Sequence, residues 1–328
     1  MTKDIIKEYG NVLHDPASIT EKDLNVLSVS PKLDIALGGG VPEGSLFIMT
    51  GPEKVGKTVT ALAFCSNAQR QYERKIYYAN IEGRLRKRDL EGIYGLNIDP
   101  ECMQIIGSTE GNILSAEKYL SIIDNIVHTQ PGSLAVVDSF SALSSEAELT
   151  GDLADVQVMS VQKILAKFCR RISNALPINR VTVIGITHLM ANIQKFGRGK
   201  AKIEKSGSAL KYQVDVKLHA THSQPLMQGD TQIGQTVHWQ VMTSAIGPPG
   251  QKVESHIRYG RGIWKELELA DLMIDFGLVS KSGAWLKLPN DEKVHGKANL
   301  AKYLEENPKE YEDFKGKVFS MVGLTNED

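Results

Sequence analysis

The sequence predicts an α/β fold: a mostly parallel, twisted sheet flanked by helices, with a short N-terminal arm and a small α+β C-terminal domain. Three observations carry that reading. From Leu27 to about Trp264, short β-rich apolar runs alternate with helical patterns, the alternation that builds βαβ units. One run, Leu46-Phe47-Ile48-Met49, leads into the loop Gly51-Pro52-Glu53-Lys54-Val55-Gly56-Lys57-Thr58 and then into Val59, Leu62 and Ala63 at helical spacing. From Glu266 the pattern turns helical again, broken by Lys281-Ser282-Gly283-Ala284-Trp285, which reads as a turn entering a strand. A chain of 328 residues is long enough for one large α/β core and one or two small appendages.

Taken in order, residues 1–26 are polar, with at most one short helix before Pro16, and form an arm. The core spans 27–264. Its strands are expected at 45–50, 75–81, 103–107, 134–138 and 180–187, and its helices at 56–72, 113–128 and 155–175. A further group of strands at about 214–219, 234–242 and 253–258 lacks interleaved helices and so is expected to be antiparallel. Residues 265–328 make the C-terminal domain.

The glycine loop fits G-x-x-x-x-G-K-[ST] in the strand–loop–helix setting where that pattern has a mechanism. Gly51 and Gly56 let backbone N–H groups turn toward a polyphosphate, and the start of the helix adds its positive dipole end. Lys57 reaches the outer phosphates, and Thr58 offers a hydroxyl to Mg²⁺. The segment Gly51 to Val59 therefore predicts a nucleoside triphosphate site. Leu134-Ala135-Val136-Val137-Asp138 is an apolar strand ending in an acid, placing Asp138 as a second Mg²⁺-directed carboxylate. The strand Ile76 to Ile81 ends at Glu82, the candidate base that positions the attacking water. Val181 to Thr187 ends at His188, placed to contact the γ-phosphate; on periodicity alone a structural histidine fits equally well.

Between Lys195 and Lys205 lie five basic residues, one acid and two glycines, which argue against a regular element. A cationic loop carrying Lys195, Phe196, Arg198, Lys200 and Lys202 suits the backbone and bases of a single nucleic-acid strand. A solvated surface loop is the alternative. The net charge of -1 gives no global basicity, so any nucleic-acid site is local. Cys65, Cys102 and Cys169 show neither zinc spacing nor a disulfide framework. No leader and no membrane-length apolar run is visible, so a cytoplasmic protein is expected.

These residues together resemble the RecA family of DNA strand-exchange recombinases. The likeness is carried by Gly51-Pro52-Glu53-x-x-Gly56-Lys57-Thr58, Val136-Val137-Asp138-Ser139, Glu146-Ala147-Glu148-Leu149-x-Gly151-Asp152 and Ser208-Ala209-Leu210-Lys211-Tyr212. Tyr259-Gly260-x-Gly262-Ile263, Gly283-Ala284-Trp285 and Gly296-Lys297-Ala298-Asn299 continue it, so that it runs from about Leu27 to Val322. The short arm suits a phage-encoded member of the UvsX type. The resemblance implies a RecA-like P-loop ATPase core and a DNA-dependent ATPase using ATP and Mg²⁺ in recombination and DNA repair. Its partners are single-stranded DNA, homologous duplex and further copies of itself in a helical filament, with a single-strand-binding protein and a loader besides. By position, Glu82 matches the water-activating glutamate, and His188 falls where bacterial members carry a γ-phosphate-sensing glutamine. The two DNA loops match about 151–159 and 189–207. Lys163 and Arg170 match basic residues facing DNA, Lys211 and Tyr212 interface positions, and Tyr259 a residue near adenine. A RecA-fold motor, either a hexameric helicase or a RadA-type branch-migration ATPase, is the alternative, and a regulator holding nucleotide only structurally is a third reading.

Two departures stand out. Thr243-Ser244-Ala245-Ile246-Gly247-Pro248-Pro249 lacks the lysine pair that reaches the neighbour's triphosphate in bacterial members, leaving that role weakened or passed to another cation such as Lys252. Gly83-Arg84-Leu85-Arg86-Lys87-Arg88-Asp89 replaces the acidic and aromatic residues that usually hold adenine.

Overall fold

The computed structural model describes residues 10, 12, 25–151, 160–191, 202–204 and 213–324. Its centre is a ten-stranded sheet. The strands β3 (Leu46–Gly51), β4 (Ile76–Asn80), β5 (Met103–Ile106), β6 (Leu134–Asp138) and β7 (Thr182–Ala191) lie in the order β3-β7-β6-β4-β5, all parallel. Each strand after β3 follows a helical connection, as parallel pairing requires. A two-stranded ribbon, β1 (Val26–Leu27) with β2 (Val41–Pro42), precedes them.

Both faces of the central parallel strands β3, β4, β6 and β7 are covered, which explains why they are largely apolar rather than alternating with polar residues, whereas the edge strand β5 is partly exposed. Along β3, Phe47 and Met49 face one core, with Phe64, Cys65 and Ala68 of helix α2 (Lys57–Tyr72). Leu46 and Ile48 face the other, with Tyr119, Ile123 and Val127 of α4 (Ala116–Thr129) and Leu165, Phe168 and Ile172 of α6 (Ser160–Ile172). Ser115 starts α4 by accepting a hydrogen bond from the Lys118 backbone N–H, an N-cap that begins the helix three residues later than the expected 113. Between α2 and α4 sits the short α3 (Lys87–Glu91), α5 (Glu146–Thr150) follows β6, and α7 (Ala175–Asn179) precedes β7.

The antiparallel group is longer than its sequence pattern suggests. β9 (Val216–Gln228) and β10 (Thr231–Thr243) form a hairpin of 13-residue strands, and β11 (Lys252–Arg258) and β12 (Gly262–Ile263) continue from it. Only β9 departs from the antiparallel expectation, by pairing parallel with β3. Its outer half, Thr221 to Pro225, is exposed and polar or small. Hydrophobicity therefore marks only the inner half of the strand, and the hairpin partner extends the rest. A further difference concerns the basic segment. β7 runs on to Ala191, and Lys202–Glu204 forms β8, antiparallel to it, so the region 189–207 is not wholly loop. Backbone pairing with β7 decides this despite the nearby glycines.

Past Trp264, α8 (Lys265–Asp275), the three-stranded sheet β13 (Ser280–Ser282), β14 (Trp285–Lys287) and β15 (Lys293–His295), α9 (Gly296–Glu306) and α10 (Pro308–Met321) enclose their own core of Leu269, Met273, Leu300, Phe314 and Val318. Charged contacts tie it to the rest. Asp271 takes Lys32 Nζ at 2.6 Å and His256 Nε2 at 2.8 Å. Buried Glu268 accepts from Ser255 Oγ and the His256 N–H. A buried carboxylate is tolerated only when its lone pairs are filled in this way. The short helix α1 (Pro31–Leu37), absent from the sequence reading, carries Lys32 to this junction; a seven-residue helix is too short to show a period.

Candidate functional site

Parallel strands share one direction, so their carboxyl ends gather along one edge of the sheet. Register then selects the residues. Gly51 is aligned with His188 across β3 and β7, and Asn80 with Asp138 across β4 and β6. The phosphate loop, Asp138, the Glu82 turn and His188, which lies inside β7 rather than at its end because that strand runs on to Ala191, thus meet along the same edge of four adjacent strands.

The loop has the backbone its glycines require. Gly56, at φ +105°, caps the start of α2, and a Cβ there would lie 2.5 Å from Ile257 Cδ1. Gly51 has Ala220 O 2.6 Å from the place of its missing Cβ. Val55 is buried beneath the loop, whereas Glu53 and Lys54 are exposed at its rim. Lys57 is buried, with Nζ donating to the carbonyls of Gly51 at 3.0 Å and Pro52 at 2.5 Å. Burial pushes its ammonium down to about 8, against the pull of Asp138, Glu82 and Glu53.

Thr58 Oγ1 donates to Asp138 Oδ2 at 2.9 Å, and Tyr78 OH donates to the same oxygen at 2.5 Å. Burial raises the Asp138 carboxyl, partly offset by these bonds. A hydroxyl and a carboxylate oxygen side by side are the hard donors that fit Mg²⁺. A cation there would stabilise the ionised Asp138 that burial disfavours.

Glu82 Oε1 accepts from Ser139 Oγ at 2.8 Å and lies 2.8 Å from His188 Nε2. Burial acts to raise this carboxyl, but the bonds from Ser139 and His188 outweigh it and hold Glu82 below the usual carboxylate range. The His188 N–H is fixed by Ser141 Oγ at 2.8 Å, and His188 Nδ1 is buried without a partner. Glu82 Oε2 remains turned toward Arg84, 3.8 Å away.

The cleft in front of these groups holds about 430 Å³, within the range of small-molecule sites. Val59, Leu62, Leu85 and Ile93 give it apolar walls, and Tyr259 and Gly260 close one side. Tyr259 is half exposed and its hydroxyl accepts from Gln232 Nε2 at 2.9 Å. Arg84, Arg88 and Asp89 also line it; Asp89 caps α3 by accepting from the Arg86 N–H.

Lys163 and Arg170 lie seven residues apart on α6 and are both exposed, with Leu165, Phe168 and Ile172 buried on the opposite side. Lys195, Phe196, Arg198, Lys200, Lys211, Tyr212 and the stretch 152–159 fall outside the described residues; of Lys202 only the strand backbone is described. The sequence reading missed Tyr78, Ser139 and Ser141. Ser139 was findable, since it follows Asp138 directly; Tyr78 needed the register of β4 against β6. Among the described residues no group of His, Cys, Asp and Glu forms a further metal site, and no helix is long and apolar enough to cross a membrane.

The model for the RecA N-terminal domain matches residues 2–264, and that for the RecA C-terminal domain matches 267–323. The chain belongs to the RecA family. It is 30% identical over 321 residues to Protein RecA of Cutibacterium acnes, covering 96% of this chain and 88% of that protein. Protein RecA of Nautilia profundicola is 28% identical over 327 residues, covering 98% and 90%. Protein RecA of Wolinella succinogenes is 30% identical over 308 residues, covering 94% and 85%. The RecA fold expected from the sequence is thus present along nearly the whole chain, as the mixed, mostly parallel sheet with its small C-terminal unit.

Proposed function

We propose that this RecA family member is an ATP-dependent homologous-recombination protein, which polymerises on single-stranded DNA, pairs it with homologous duplex and exchanges strands. The observation that carries the reading is the convergence of Thr58, Asp138, Glu82 and His188 on one cleft, with Lys57 buried in the adjoining phosphate loop, the set that nucleotide binding and hydrolysis need. The reaction is DNA-dependent hydrolysis of ATP to ADP and phosphate. Lys57 and the loop N–H groups bind the phosphates, Thr58 and Asp138 hold Mg²⁺, which would neutralise phosphate charge, and Glu82 orients the attacking water. His188, touching both Glu82 and the cleft, passes the nucleotide's state toward the segment after β7, which bears the cationic DNA loop. Tyr259 flanks the adenine. Lys163 and Arg170 meet DNA phosphate, and Lys211 and Tyr212 meet the next subunit.

The division proposed is an arm at 1–26, the ATPase core at 27–264 and the C-terminal domain at 265–328. The arm docks on an adjacent core, a head-to-tail contact that produces an open filament. Electron microscopy with single-stranded DNA and ATP is expected to show open helices. Closed rings would indicate a motor, and bare DNA would refute assembly altogether.

A second expected result concerns the basic segment. Replacing Lys195, Arg198, Lys200 and Lys202 with Ala weakens single-strand binding and flattens its salt dependence, by about 0.7 in the log–log slope for each phosphate no longer neutralised. Fluorescence titrations across a salt series measure it, and an unchanged slope would make the segment a solvated surface.

A further inference from the structure

We propose that Arg84 is a catalytic residue of this site, supplying from within the same subunit the positive charge that Thr243-Ser244-Ala245 lacks. This rests on the ATPase reading above. Gly83, at φ +66°, turns the chain just after Glu82, with its N–H near Asn80 O, and sends Arg84 back along the cleft. The guanidinium Nη1 lies 3.8 Å from Glu82 Oε2. Of the two Glu82 oxygens, Oε1 is occupied by Ser139 and His188, so Oε2 is the one left for a water. Arg84 therefore stands beside the reacting end of the cleft, together with Thr58, Asp138 and His188.

Its side chain is 80% exposed, and 3.8 Å is a loose ion pair rather than a hydrogen bond. Such a pair contributes little to stability, and a planar fork with free donors is suited to phosphoryl oxygens. Within this subunit neither Thr243-Ser244-Ala245 nor Lys252 borders the cleft. Ser244 Oγ donates to Leu37 O at 2.9 Å, fastening that stretch to the end of α1. Lys252 lines a separate cleft with His222, His238 and Trp239.

In the reaction, the water oxygen bonds to the γ-phosphorus as the bond from that phosphorus to the β–γ bridging oxygen breaks. ADP leaves with the electron pair, and the water's proton passes to Glu82 and then to solvent. Arg84 donates to the γ-phosphoryl oxygens, whose charge must be stabilised throughout the transfer.

The test compares wild type, Arg84→Ala and Arg84→Lys for steady-state ADP release on single-stranded DNA. Single-strand affinity in ATP is the second readout. Arg84→Ala is expected to lower kcat by on the order of 10³-fold, with KM for ATP and DNA affinity little changed, and Arg84→Lys to recover part of the loss. Near-wild-type kcat in Arg84→Ala overturns the assignment. Co-assembly with Lys57→Ala subunits, verified by energy transfer between labels, separates action within a subunit from action across the interface. Those subunits carry an intact Arg84, so recovered turnover in the mixture would place Arg84 in the neighbour's site and overturn the proposal, whereas no recovery supports it. Absence of hydrolysis in the wild type itself would overturn the ATPase reading, and Arg84's role with it.

Discussion

Glu82→Gln is expected to leave ATP and single-stranded DNA binding in place while lowering turnover by on the order of 10²-fold or more. The amide keeps the shape of the carboxyl and can still accept from Ser139 Oγ, which in the native protein donates to Glu82 Oε1 at 2.8 Å. What it loses is the anion that orients and deprotonates water. Binding depends on Lys57, the loop N–H groups and Thr58, none of which the substitution touches. The pH profile adds a second check. Ser139 and His188 hold Glu82 below the usual carboxylate range despite its burial, so the base stays ionised as pH falls to that range. Wild-type kcat/KM should therefore keep its Glu82-dependent acid limb below the ordinary glutamate region, and the variant should lack that limb. Stopped-flow binding and steady-state phosphate release measure the two halves separately. Unchanged turnover in Glu82→Gln would remove Glu82 from the chemistry.

Lys57→Ala acts earlier, at binding. Truncating one partner of a buried charge pair costs about 2–5 kcal/mol, so ATP affinity is expected to fall by roughly 30-fold to several-thousand-fold. Filament formation that depends on ATP falls with it. Burial pulls the Lys57 ammonium down to about 8, so in the free protein the charged form is lost as pH rises through about 8. A triphosphate beside it favours the ammonium and moves that loss to higher pH. ATP binding near pH 9 should therefore take up a proton, and affinity should weaken as pH rises. Calorimetry in two buffers of different ionisation enthalpy reads this uptake directly. An equal uptake in Lys57→Ala would assign the proton to another group.

How legible each feature was in the sequence follows from the range of the interactions that make it. The loop from Gly51 to Thr58 is a local motif: spacing along one segment fixes where its glycines turn and where Lys57 and Thr58 begin the helix. The parallel strands were legible because both faces are buried, giving apolar runs bounded by polar ends. Glu82, Asp138 and His188 could be proposed singly, as the residues at the ends of such runs. The outer half of β9 could not, because its exposed residues carry no hydrophobic signal and hold their place by pairing with β10. Helix α1 was likewise silent, being too short for a period and held by contacts with the C-terminal unit, such as Lys32 with Asp271.

The sequence by itself determined the phosphate loop, the α/β class, the RecA family resemblance and the absence of lysine from Thr243-Ser244-Ala245. Tertiary structure alone decided that Glu82 is bonded to Ser139 and His188, that Asp138 shares one oxygen between Thr58 and Tyr78, and that Arg84 borders the cleft. Those partners lie up to 106 positions apart in the chain. They meet because strand register aligns Gly51 with His188 and Asn80 with Asp138, and register is set by packing on both faces of the sheet rather than by any spacing along the chain.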